Sequence, residues 1–116
     1  MRPEIDALDR ALARVGEDVV LRRMVSGSPV DVTCRGRVRS PNAQELAGGY
    51  SQSDSVLILS PTEIAIANWP GDSSLIRGGG ASGDKVKIQG RFRNVERVNP
   101  IYVAGVLVRY ELKAVG

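Results

Sequence analysis

Apolar positions along the first residues recur at helical spacing. Ile5, Leu8, Leu12 and Val15 form one stripe on a helix predicted over residues 4–15. Pro3 suits the first turn, Glu4 and Asp6 meet the positive end of the helix dipole, and Gly16 suits the C-terminal cap. A helix of about three turns is marginal alone, so its stripe must pack on a sheet or on a partner chain.

From Asp18 onward the pattern is that of strands. Val19, Val20, Leu21, Met24 and Val25 form the first, and Ser26-Gly27-Ser28-Pro29 a turn. Val30, Val32, Cys34, Gly36 and Val38 then alternate with Asp31, Thr33, Arg35, Arg37 and Arg39. That is period two, with one apolar and one polar face. Residues 40–54 lose the periodicity and are rich in loop formers, which predicts a long, mobile, projecting loop. Ser55–Leu59 reads as a strand covered on both faces. Ser60-Pro61-Thr62-Glu63 carries a capping-box signature for a short helical turn over 62–67, although β-branched Ile64 and Ile66 also permit a strand.

Residues 72–83 read as a second loop, glycine-rich at Gly78-Gly79-Gly80. Val86, Ile88 and Phe92 then alternate with basic residues and are expected to face inward. The phase breaks near Asn94, which calls for a turn at Gly90 or a bulge near Arg93-Asn94. Asn99-Pro100 marks another turn. In the last strand Val106, Val108, Tyr110, Leu112 and Ala114 share one face. The fold class expected is therefore mainly β: a small antiparallel β-barrel or sandwich with a short N-terminal α-helix and a long mobile loop. Residues 1–116 form a single domain in this reading, with 1–16 a helical arm and 18–116 the barrel.

Composition narrows the chemistry. The chain has 116 residues, no histidine, one cysteine and five aromatic side chains. Ser-His and Cys-His catalysis lack their base, and zinc and iron–sulfur sites lack their ligand clusters. The carboxylates form no suggestive pair, and Ser51, Ser53 and Ser55 have no base nearby, so no enzyme, cofactor or metal is expected. Cys34 sits on an apolar strand face and is expected to be a buried, inert thiol. Gly78 to Gly83 matches G-x-G-x-x-G literally, but a strand pattern follows it and no acidic residue stands at the required distance. The longest purely apolar runs are four residues, as at Val56–Leu59, far short of the roughly 20 a membrane span needs, and no signal peptide is visible. Neither a membrane nor a small-molecule substrate is expected as a partner, and the default is synthesis in a reducing cytoplasm.

The net charge of +3 is a remainder. Residues 1–40 carry 8 basic and 6 acidic side chains, residues 41–84 carry 1 and 5, and residues 85–116 carry 7 and 2. Opposite signs in different segments suit contacts between subunits. The basic strand faces also offer Arg35, Arg37, Arg39, Lys85, Lys87 and Arg91 as candidates for phosphate or DNA contact, provided their strands lie side by side. A small β-barrel nucleic-acid-binding module is the alternative reading on that basis.

The order of these elements resembles a known family. Arg35-Gly36-Arg37-Val38 leads to Pro41-Asn42. Leu57-Ile58-Leu59-Ser60-Pro61-Thr62-Glu63 follows, then Gly83-Asp84-Lys85-Val86-Lys87-Ile88, then Val95-Glu96-Arg97-Val98-Asn99-Pro100 and a closing amphipathic strand. Over nearly the whole chain this is similar to the head–tail joining (head-closure, connector) proteins of tailed bacteriophages, of the lambda attachment type. The resemblance implies a structural virion protein of the neck, made in the host bacterial cytoplasm. Such a protein binds the portal vertex after DNA packaging, forms a ring (hexameric in the virion) and presents a surface for the tail. Implied partners are other copies of itself, the portal or head-adaptor protein and a tail or tail-terminator protein, with DNA contact in the channel allowed. Carried onto this chain, the assembly contacts fall on Ile5, Leu8 and Leu12 of the helix and on Gln44, Glu45, Leu46, Gly48, Gly49 and Tyr50 of the loop. The triple-glycine loop and the acidic middle depart from the family pattern.

Overall fold

A computed structural model describes residues 3–50, 53–69, 76–79 and 83–115. The elements run α1 (Pro3–Val15), β1 (Glu17–Val25), β2 (Ser28–Arg39), α2 (Ala43–Ala47), β3 (Ser55–Leu59), α3 (Thr62–Ile66), β4 (Lys85–Ile88), β5 (Arg91–Val103) and β6 (Val106–Val115). The six strands close into an antiparallel barrel in the order β1-β2-β3-β6-β5-β4. The glycine-rich loop expected over 72–83 lies mostly outside the described residues, and Gly83 leads into a strand, not a helix.

Three hairpins share one turn chemistry. Ser26-Gly27, Gln89-Gly90 and Ala104-Gly105 each place both residues at positive φ, the two-residue turn whose twist matches that of the flanking strands. The turn expected at Gly90 is present. The one expected at Asn99-Pro100 is not, because β5 runs straight through to Val103. Pro100 is tolerated there because β4 pairs with β5 only as far as Asn94, so beyond it one edge of β5 has no ladder to lose. The Gly90 turn moves the inward positions from even on β4 to odd on β5, as at Val95, and the register shift between Val95 and Arg97 returns them to even at Val98, so the phase break needs no bulge at Arg93-Asn94.

Inward side chains fill the barrel. Val19, Leu21, Cys34, Leu57, Leu59, Val86, Val95 and Leu112 are almost wholly buried in it. Gly36 makes this possible, since a Cβ there would stand 2.7 Å from Leu59 and 2.8 Å from Leu57. β3 pairs with only the last four residues of β2, which leaves a gap between the first part of β2 and the start of β6. The α3 segment closes it. Glu63 accepts the Arg35 backbone N–H at 2.9 Å, and the Trp69 indole donates to the Val30 carbonyl at 2.8 Å. Side chains thus replace part of the missing ladder.

The expected capping box at Ser60 is altered. The N-cap is Pro61, whose ring has no acceptor to offer; Ser60 Oγ still accepts the Thr62 N–H at 3.2 Å, while Glu63 is committed to the Arg35 N–H. At the other end of α3, Asn68 at φ 51° ends the helix, and the Trp69 N–H reaches the Ile64 carbonyl at 3.1 Å. That reversal turns Trp69 into the core, where it is buried with Ile64 and Ile76.

Candidate interaction surfaces

The two basic strands would have to lie side by side to form one patch, and they do not. β1 stands between β2 and β4, pairing with both. The basic candidates are therefore split, and several are already occupied. Arg35 caps α1, its guanidinium donating to the carbonyls of Gly16 at 2.7 Å, Leu12 at 3.3 Å and Ala13 at 3.4 Å. This satisfies the orphan acceptors at the helix C-terminus and sets a positive charge against the negative end of the dipole. Arg39 makes a two-pronged pair with Glu45 at 2.8 and 3.0 Å. The Lys85 ammonium donates to Asn94 at 2.7 Å. Arg37, Lys87 and Arg91 stay exposed, on different strands.

Phe92 faces outward, contrary to expectation. The two-residue turn at Gln89-Gly90 sets Ile88 opposite Arg91, so the inward positions are even on β4 and odd on β5. The ring lies opposite Lys87, with the Arg22 guanidinium 4.1 Å from its centroid and the Lys87 ammonium 5.7 Å away. Arg22 is held there by Asp31 at 2.8 and 2.9 Å, and that contact pulls the Asp31 carboxyl below its usual range.

The assembly candidates divide in the same way. Ile5 and Leu12 are buried in the chain's own fold and Leu8 is half-buried, so this stripe is not a free contact surface. The loop expected to project lies instead on the barrel wall. Asn42 and Glu45 form a capping box that starts α2, with the Asn42 side chain accepting from the Glu45 N–H and Glu45 accepting from the Asn42 N–H. The Arg39 guanidinium, then the Asn42 N–H, hold the Glu45 carboxyl below its ordinary range. Tyr50 covers Lys113, whose ammonium sits 4.6 Å from the ring centroid, and Lys113 in turn pairs with Glu96 at 2.8 Å. Of the loop candidates, Gln44, Leu46, Gly48 and Gly49 are exposed, while Glu45 and Tyr50 are engaged within the chain.

A surface not anticipated from the pattern lies at one end of the barrel. The β1–β2 and β5–β6 hairpins both point to this upper end, and β3 delivers α3 to it. Exposed apolar residues gather there: Met24 (55%) and Val25 flank the first turn, and Tyr102 (52%), Val103 and Val106 the other. Ile66 on α3 is 82% exposed. The signal was present as apolar residues beside Ser-Gly and Ala-Gly, where hairpin tips are ordinarily polar.

Cys34 is buried as expected, and desolvation, with Glu63 and Asp18 nearby, pushes its thiol up to about 12. Among the described residues no group of three or more acidic or cysteine side chains could hold a metal ion, and no helix is long and apolar enough to cross a membrane. The chain matches neither a protein-family model nor, by sequence, any curated protein.

Proposed function

We propose that this barrel is a structural subunit of a tailed-phage neck: it docks on the portal vertex or a head adaptor, joins copies of itself into a ring and offers a surface to the tail. The observation that carries this reading is the set of exposed apolar side chains at the tips of two hairpins pointing to the same end. Isolated surface apolar residues are common, but their convergence at one end favours protein–protein contact. The filled interior supports a module that occupies a place instead of enclosing a substrate. The order of elements, similar to that of head–tail joining proteins, supplies the specific assembly.

The test is complementation of a phage lacking this gene. Met24→Ser with Tyr102→Ser should leave the fold intact and leave filled heads unjoined to tails. Normal joining by that double variant, or absence of the chain from purified virions by mass spectrometry, rejects the reading. Deletion of residues 44–52 tests the loop in the same assay.

A second reading rests on Phe92. An outward ring beside Arg22 and Lys87 is the kind of platform on which single-stranded nucleic acid stacks. Oligonucleotide binding that weakens steeply with salt and is lost in Phe92→Ala would favour it, and no gel shift at low salt would remove it.

A further inference from the structure

We propose that the lower mouth of the barrel, opposite the hairpin tips, binds a small oxyanion of the phosphate or sulfate class, with Arg93 as the anchor. A cavity of about 390 Å³ opens there. Arg91, Arg93, Ser53 and Ser55 line it, with Val38 and Ile88 as apolar wall.

Arg93 occupies an inward position. Its register partner on β4 is Val86, which is fully buried in the core. A half-buried guanidinium there gains when its charge is answered. The buried Arg23, which also points inward at the upper end, shows what a full answer is. There Asp84 meets it with two hydrogen bonds of 2.8 Å. Arg93 has neutral partners. Its two terminal nitrogens donate to the Ser55 hydroxyl and, at 2.6 Å, to the Ser53 carbonyl. Its Nε is buried and has no acceptor among the described residues.

Ser55 adds a donor. Because a guanidinium can only donate, the Ser55 oxygen accepts from it and keeps its own proton for another acceptor. Arg91 brings a second positive charge to the rim. Two arginines, a hydroxyl proton and a concave wall with no carboxylate among its described lining residues make a cradle for a compact anion that carries several acceptor oxygens. This site is independent of the neck reading and stands or falls without it.

The probe is inorganic phosphate titrated against chloride at matched ionic strength. Calorimetry should show saturable binding to the whole chain, and thermal unfolding should shift upward by mass action. Phosphate also stabilises proteins without binding them, so the variants decide. Arg93→Gln should abolish the saturable heat and the specific part of the thermal shift. Ser55→Ala should weaken binding by about tenfold, the loss of one hydrogen bond to a charged group. If Arg93→Gln fails to fold, the Ser55→Ala titration carries the decision. Equal affinity in wild type and Ser55→Ala, no saturable heat in wild type, or displacement of phosphate by a DNA oligonucleotide would each overturn the assignment.

Discussion

Arg23 and Asp84 stand 61 residues apart in sequence and meet inside the barrel, guanidinium to carboxylate, through two hydrogen bonds of 2.8 Å. Both side chains are almost fully buried. Asp84 also accepts the Arg77 backbone N–H at 2.7 Å, and the Trp69 ring lies 5.2 Å from the Arg23 guanidinium. The pair therefore joins β1, the entry to β4 and the segment after α3.

Removing one member takes from the other, in a buried site, the opposite charge that answers it. Arg23→Ala or Asp84→Ala should cost about 3–5 kcal/mol in urea unfolding. Replacing both, as in Arg23→Met with Asp84→Leu, should cost far less than either single change, because no charge is then stranded. A double variant as unstable as the singles would show that the ladder around Arg77 is what matters.

Arg35 makes a second prediction. Its hydrogen bonds to Leu12, Ala13 and Gly16 tie the end of α1 to β2. Arg35→Met should lower stability by about 1–2 kcal/mol and speed amide exchange within α1 more than within the strands. Arg35→Lys should rescue poorly, because a single ammonium cannot span three carbonyls. Unchanged exchange in α1 would mean that packing of Ile5 and Leu12 alone holds the helix.

The thiol of Cys34 sets a pH dependence. Burial raises it from 9.0 to about 12, so the folded state resists ionisation that the unfolded chain undergoes. Its contribution to stability is complete below pH 9 and declines as pH rises from 9 toward about 12. Cys34→Ala should flatten that part of the stability profile. In the native protein at pH 8 a thiol reagent should react only as fast as the barrel opens, and rapid labelling would contradict the burial.

Ala104 is a place to gain stability. It sits at φ 51°, a conformation that costs an ordinary L-residue about 1–2 kcal/mol. Asn tolerates it, and Asn-Gly is the preferred pair for this turn. Ala104→Asn should raise stability by about 0.5–1 kcal/mol in thermal unfolding. A loss would mean that the tip is strained for another reason.

Three departures from the local pattern share a cause. Phe92 faces outward because parity carries through a strand but not through a two-residue turn, and Gln89-Gly90 reverses it. Asn99-Pro100 is an ordinary turn signal, and only the short reach of β4 lets the strand pass through it. Glu63 read as a capping residue because nothing local shows that the Arg35 N–H, 28 residues away, lacks an acceptor.

Read alone, the chain of apolar and polar positions determines the N-terminal helix, most of the strands, the apolar faces of β2 and β6 and a small antiparallel barrel or sandwich as the class. These follow from local periodicity, which each segment carries within itself. Tertiary structure decided which charges have partners. Arg23, Arg35, Arg39 and Arg93 look alike in sequence, yet one meets a buried carboxylate, one caps a helix, one holds a loop and one lines a cavity with neutral hydrogen-bond partners. The physical reason is that a strand's pattern gives the side to which a residue points, whereas its partner depends on strand order and register, set by pairing across the whole barrel.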